Sequence, residues 1–165
     1  MTLNTLEDLF DHQLQAAYTV ENRLVDTLSE MASQVDDEEL ADGFGQHEGE
    51  TMRHVERVEE VFEARGLTPE ETEVPLFDGL MEEKQMFDEQ LGEEGLRDVF
   101  YAQAGMKTER IELTMYEGLL MLADQLDLGD EVTDPLEENR DEEEKTLKKL
   151  KGMATGSTLL GDGLL

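Results

Sequence analysis

The feature that most constrains this chain is a polar interruption in the apolar face of a long helical segment. Apolar residues recur at helical spacing between Leu40 and Phe62, but His47, Glu50 and His54 occupy the centre of that face. Their spacing of three and then four residues places the three side chains on one side of a helix. Three polar side chains that can bind metal, at positions where a core is expected, predict a buried site that other helices must complete.

Three further long segments show apolar residues at helical spacing, and each includes a glutamate on its apolar face. Glu21 interrupts the first segment, Glu109 and Glu112 interrupt the third, and Glu143 interrupts the last. Acidic residues also flank Glu143 on both sides. No segment alternates between apolar and polar residues as a half-buried strand would, so the predicted fold class is all-α.

Turn and cap residues divide the chain into five predicted helices. These are expected at about Thr5–Gln34, Asp37–Arg65, Leu76–Leu91, Leu96–Asp127 and from residue 130 to Met153. Asp36 or Asp37 caps the second helix, and Gly66 ends it. Pro135 fits either the first turn of the last helix or a kink. We expect one domain over residues 1–154 and a flexible Gly-rich tail over residues 155–165.

The positions of the glutamates along the helices predict how the helices are arranged. Side chains on antiparallel helices meet only if they are equidistant from the connecting turn. The midpoint between Glu21 and Glu50 falls inside the first predicted turn, and that between Glu109 and Glu143 falls just before the last. About 30 residues join the two hairpins and include the short helix, which permits a crossover back along the bundle. The prediction is a ferritin-like four-helix bundle with a short fifth helix in its long crossover.

Carboxylates buried at one level need a counter-charge. Without one, each would cost several kcal/mol or take up a proton. Two divalent iron or manganese ions would resolve this, with carboxylates bridging them and imidazoles completing the coordination. The candidate metal ligands are Glu21, His47, Glu50, His54, Glu109, Glu112 and Glu143.

Simpler interpretations of individual residues stay open at this point. His54 can be a hydrogen-bonded core histidine, and His47 can support Glu50 without binding metal. Tyr18, Tyr101 and Tyr116 fit core packing better than a redox role beside a metal.

The charge of the chain restricts its partners. With 43 acidic and 13 basic residues, the formal net charge is -30, which disfavours binding to nucleic acid or to anionic membranes. High charge is also typical of disordered chains, but the clean helical periodicity indicates a packed protein. The acidic excess resembles that of proteins from salt-accumulating halophiles such as haloarchaea, where ionic strength screens the repulsion.

Other classes of protein are excluded by what the sequence lacks. There is no cysteine, which rules out disulfides and thiolate metal sites. The sequence contains neither a signal peptide nor an apolar run of about 18 residues, so we expect a cytoplasmic protein without a membrane span.

Several motifs resemble those of the YciE/YciF-type ferritin-like family. The resemblance extends from about Leu3 to Ala154 and includes Thr5-Leu-Glu-Asp-Leu-Phe, Glu48-Gly-Glu-Thr-Met-Arg-His-Val-Glu-Arg, Tyr101-Ala-Gln-Ala, Glu109-Arg-Ile-Glu-Leu-Thr-Met-Tyr and Glu142-Glu-Glu-Lys. It implies a closed four-helix bundle with a short fifth helix, often a homodimer, with a role in stress responses. The wider ferritin-like group implies a carboxylate-bridged di-metal site, and thus iron or peroxide handling.

The chain departs from the usual ligand pattern of that group, a Glu followed by Glu-x-x-His in each half. The residue three after Glu50 is Arg53, with the histidine one position later, and the residue three after Glu143 is Thr146. A second glutamate one turn after Glu109 resembles the extra carboxylate of rubrerythrin-like proteins. One interpretation of the function is therefore a di-iron oxidase or ferroxidase activity. The alternative is a non-enzymatic helical-bundle interaction protein with a degenerate metal site.

Overall fold

The computed structural model describes residues 2–92 and 95–155, which form five α-helices. These are α1 (Leu6–Gln34), α2 (Glu38–Ala64), α3 (Pro75–Gln90), α4 (Gly95–Gln125) and α5 (Asp130–Thr155). The described residues contain no strand, so the all-α prediction is confirmed, and each helix ends within two residues of its predicted position. None of the helices in these ranges is long and apolar enough to cross a membrane. The part of the predicted tail beyond residue 155 lies outside the described residues.

Local sequence signals explain where the helices begin and end. Thr5 caps α1 in a capping box with Asp8, and Asp37 caps α2 by accepting the N–H of Leu40. Gly66 follows α2 at φ +70°, a left-handed conformation that favours glycine. The last helix begins at residue 130, so Pro135 lies inside α5 and not in its first turn.

Asp98, at the start of α4, fixes the topology of the bundle. Its Oδ1 accepts the backbone N–H of Asp36, and its Oδ2 accepts that of Asp37, each at 3.0 Å. Because α2 and α4 both begin at this end, they run parallel, and each forms an antiparallel hairpin with the helix next to it in sequence. Helix α1 packs against α2 and α4, and α5 packs against the same two helices. This is the predicted ferritin-like four-helix bundle.

Helix α3 occupies the long crossover and lies along α1 and α4. Phe77 is fully buried against the bundle. Asp78 pairs with Arg23 of α1 at 2.5 Å, and Lys84 pairs with Glu30 of α1 at 2.8 Å. These contacts hold α3 against the outside of the four-helix bundle.

The apolar core is divided into two clusters along the bundle axis. One comprises Phe10, Leu14, Ala17, Val58, Val61, Phe62, Tyr116, Leu119, Leu122, Ala123, Val132 and Leu136. The other comprises Val20, Leu24, Leu28, Met31, Leu40, Phe44, Phe77, Tyr101, Ala102, Leu150 and Met153. His54, Glu109 and Glu143 fall between these clusters in the sequence, and the polar side chains described below form the layer that separates them.

The Asp98 contact gives a test of this architecture. Asp98→Ala leaves two backbone N–H groups of a partly buried turn without their acceptor, so we expect a loss of about 1–3 kcal/mol in the free energy of unfolding. Chemical denaturation of the metal-free protein measures it. Asp124→Ala, an exposed change on the same helix, is the control and should leave stability within about 0.5 kcal/mol. Equal stability of the two variants would contradict the assigned role of Asp98.

Candidate metal centre

Six ionisable side chains from all four long helices meet between the two apolar clusters. Each is at most 2% exposed. Helix α1 contributes Glu21, α2 contributes His47 and His54, α4 contributes Glu109 and Glu112, and α5 contributes Glu143. Four carboxylates and two imidazoles are the donor set of ferritin-like di-metal centres, although here they are distributed differently over the helices.

The six side chains form two groups of possible metal ligands that share one glutamate. We call them the first group (His47, Glu109, Glu112 and Glu143) and the second group (Glu21, His54 and Glu143). Within each group the ligand atoms lie within 4.8 Å of one another. Oε1 of Glu143 is 2.8 Å from Nδ1 of His54, and its Oε2 is 3.8 Å from Nε2 of His47. Glu143 therefore has one carboxylate oxygen in each group, as a bridging ligand would.

Most polar atoms of the two groups lack a hydrogen-bond partner. Both oxygens of Glu112 and of Glu143, and one oxygen each of Glu21 and Glu109, have none. Nε2 of His47 is 2.9 Å from Oε1 of Glu109, but the contact is not aligned as a hydrogen bond. Buried polar atoms are normally paired. Here, unpaired carboxylate oxygens and imidazole nitrogens face one another in two groups, an arrangement that fits a pair of bound cations.

Burial also shifts the protonation of the cluster. It raises the pKa of Glu109 and of Glu143 to about 7, and raises that of Glu112 well above its usual value. Burial lowers the pKa of His54, but the carboxylates of Glu21 and Glu143 outweigh it and raise that pKa to about 11. A metal ion that binds here must displace these protons, so its affinity falls as the pH is lowered, and it falls more steeply below about 7, where Glu109 and Glu143 also take up protons.

Glu142 and Arg57 support His54 from the side away from the cluster. Oε2 of Glu142 is 3.0 Å from Nε2 of His54 and accepts a hydrogen bond from Nη1 of Arg57, also at 3.0 Å. Partial burial raises the pKa of Glu142, but the hydrogen bonds from Arg57 and His54 lower it by more than burial raises it. The net shift of this pKa is therefore downward. Glu142 is therefore a carboxylate that accepts hydrogen bonds from both neighbours.

Tyr116 and Asn139 support Glu21 in the same way. The Tyr116 hydroxyl donates to Oε1 of Glu21 and accepts a hydrogen bond from Nδ2 of Asn139 at 2.9 Å. Tyr18 and Tyr101 pack as the sequence predicted, whereas Tyr116 packs and also contacts the cluster. The hydrogen bond from Tyr116 to Glu21 was not predicted from the sequence, nor were the roles of Asn139 and Arg57. The sequence did contain one signal for Asn139: its amide lies on the apolar face of α5, and a buried amide needs hydrogen-bond partners.

The structure brings together six of the seven predicted ligands and leaves Glu50 at the edge. The Glu50 side chain is 21% exposed and accepts hydrogen bonds from Gln46 at 3.2 Å and Thr146 at 3.4 Å. His47 and His54, seven residues apart, point in nearly the same direction, but a residue three after His47 is rotated by about 60°. Glu50 therefore points towards α5 and lines an opening of about 160 Å³ that reaches His47.

By its fold, the chain is a ferritin-like four-helix-bundle protein. It belongs to the family described as a domain of unknown function, DUF892, which matches residues 5–160. It is similar to protein YciF of Escherichia coli (strain K12), with 31% identity over 155 residues that cover 93% of each chain. The resemblance to the YciF-type family is thereby confirmed.

Two solved structures share the fold. The E. coli stress protein YciF has a TM-score of 0.85 and 31% identity, over 92% of this chain and 96% of that one. YcfI from Rhodopseudomonas palustris has a TM-score of 0.86 and 28% identity, over 90% of this chain and 94% of that one. The agreement over nearly the full length of both proteins extends the family assignment to the whole bundle.

The unpaired Glu112 carboxyl gives a test of the polar layer. Glu112→Leu removes a buried carboxyl with no hydrogen bond, so we expect the metal-free protein to gain about 1–3 kcal/mol in stability. Thermal and chemical unfolding in a chelator measure it. Glu117→Leu, an exposed change on the same helix, should not produce this gain. A large destabilisation by Glu112→Leu would show that the carboxyl is satisfied in the metal-free fold.

Proposed function

We propose that this protein binds two divalent ions of iron or manganese and acts in iron or peroxide handling during stress. The observation that carries the proposal is the buried set of four carboxyls and two imidazoles, most of whose ligand atoms have no hydrogen-bond partner. The similarity to a protein known as a stress protein in E. coli supports the physiological part.

The first group would hold one ion and the second group the other, with Glu143 between them. A pair of iron ions, when bound, supplies the electrons that reduce peroxide or dioxygen. The chain itself supplies the dry surroundings, because apolar clusters close the layer on both sides. Tyr116 holds one carboxylate oxygen of Glu21 and leaves the other free for a metal ion.

One route into the cluster fits a small substrate. A mostly apolar cavity between α1, α3 and α4 reaches His47 and Glu109, with Leu28, Met81 and Phe100 among its walls. Its free volume is about 20 Å³, which is room for about one water molecule. Peroxide and dioxygen are of about this size, so this cavity admits them, and the opening of about 160 Å³ beside Glu50 is a second, wider route to His47.

Metal loading tests the proposal. After anaerobic incubation with Fe(II) or Mn(II) and removal of free metal, elemental analysis should find about two ions per chain. Glu143→Ala removes the shared ligand and should abolish binding of at least one ion, while Glu144→Ala, an exposed neighbour, should bind as the unaltered protein does. Bound metal should also raise the midpoint of thermal unfolding.

The iron-loaded protein should then consume hydrogen peroxide or oxidise added Fe(II) faster than the Glu143→Ala variant. Equal and negligible metal in all three proteins would refute the di-metal function. That result would favour the alternative, a helical-bundle interaction protein with a degenerate site.

The expected setting of the protein is also a proposal: a homodimer in a cytoplasm of high ionic strength. A net charge of -30 with only 13 basic residues destabilises a compact fold in dilute buffer. Salt shortens the range of this repulsion from about 10 Å at 0.1 M to about 3 Å at 1 M.

The charge therefore predicts a salt dependence of stability. We expect the thermal midpoint to rise by several degrees between 0.1 and 2 M KCl. Sucrose at equal osmolality does not screen charge and serves as the control. A midpoint that KCl and sucrose raise equally would argue against adaptation to salt, and light scattering in the same buffers gives the oligomeric state.

A further inference from the structure

We propose that Arg57, Asn139 and Glu142 are positioning residues that aim His54 and Glu21 at the metal ion of the second group. The inference rests on the proposed di-metal function and deepens it, because it makes the two metal positions unequal. It is carried by a connected set of hydrogen bonds that begins near the surface and ends on two ligands of the same group.

The first arm of this set orients the imidazole of His54. Glu142 is a carboxylate and can only accept, so the His54 nitrogen 3.0 Å away, Nε2, carries a proton whether or not metal is bound. Nδ1 is then the nitrogen that can bind a metal ion once it loses its own proton, and it faces Glu21 at 3.5 Å and Glu143 at 2.8 Å. A carboxylate behind a histidine ligand fixes its tautomer and ring orientation in many metal sites.

The second arm orients the carboxylate of Glu21. Asn139 is fully buried, and its Nδ2 donates to Oη of Tyr116 at 2.9 Å and to the carbonyl oxygen of His54 at 3.2 Å. Its Oδ1 accepts from Nη1 of Arg57 at 3.0 Å. A carbonyl only accepts and a guanidinium only donates, so this surrounding fixes which way the amide points. The Tyr116 hydroxyl accepts this hydrogen bond, and its own O–H therefore donates a hydrogen bond to Glu21.

Arg57 joins the two arms. Its guanidinium donates to Asn139 and Glu142, and also to Glu138 at 2.6 Å, whose side chain is 60% exposed. Both arms end on the second group. Within the described residues, none of these hydrogen bonds reaches the three ligands that belong only to the first group, His47, Glu109 and Glu112.

Two-site metal titration tests this asymmetry. Calorimetry with Mn(II), and Co(II) absorbance as a second probe, should resolve two ions in the unaltered chain. Arg57→Met and Glu142→Ala should each weaken one ion about 10–100-fold and leave the other within about threefold. Glu142→Gln keeps an acceptor oxygen for Nε2–H and should lose less than Glu142→Ala.

Two matched changes control for charge and for helix stability. Arg53→Met removes an arginine from the same helix, where its guanidinium donates to the backbone carbonyl of Gly49, and Glu144→Ala removes an exposed acid next to the cluster. Both should bind two ions normally. Equal weakening of both ions by Glu142→Ala, or no difference between Glu142→Ala and Glu144→Ala, would overturn the inference.

A measurement on the metal-free protein separates this inference from the di-metal function. In ¹⁵N-histidine NMR spectra, the Nε2 proton of His54 should exchange slowly with water in the unaltered protein and in Glu144→Ala, and rapidly in Glu142→Ala. If that pattern appears but no protein binds metal, the positioning of His54 stands and the di-metal function fails. If the proton exchanges alike in all three proteins, the positioning role is refuted, whether or not metal binds.

Discussion

The burial of six ionisable side chains halfway along the bundle is the constraint on which the rest of the structure depends. Carboxyls and imidazoles removed from water are costly unless a counter-charge or hydrogen bonds compensate them. Two apolar clusters, one on each side of the polar layer, supply the favourable burial that offsets this cost. Locally unfavourable layers of this kind are characteristic of functional sites in otherwise consistent folds.

The topology of the bundle follows from the need to bring four helices to the same level. Each antiparallel hairpin aligns only its own two helices, so the long crossover must return the chain to the starting end. Asp98 secures that return by bonding the turn between α1 and α2 to the start of α4. With the two hairpins held in register, Glu143 of α5 can face both His47 and His54 of α2. The register of the two hairpins therefore determines the geometry of the ligands.

Helical periodicity was enough to predict the helices and most of the polar layer, and the length of the crossover predicted the parallel arrangement of α2 and α4. Glu21, Glu109 and Glu112 were recognisable because a charged side chain on an apolar face has no other explanation. Glu50 was predicted on the same grounds but lies at the edge, because the apolar face of a helix is wide and its margin faces a neighbouring helix. Spacing along one helix cannot say where that margin falls.

The sequence by itself determined the class of the fold and the depth of the polar layer, because both follow from the rise and period of a helix. Only the tertiary structure decided how the ligands divide into two groups, and that Glu143 belongs to both. It also decided that Arg57 reaches Asn139 and Glu142 across 82 and 85 residues of sequence. The reason is physical: the rotation of each helix about its own axis is set by packing against its neighbours, and no local pattern encodes it.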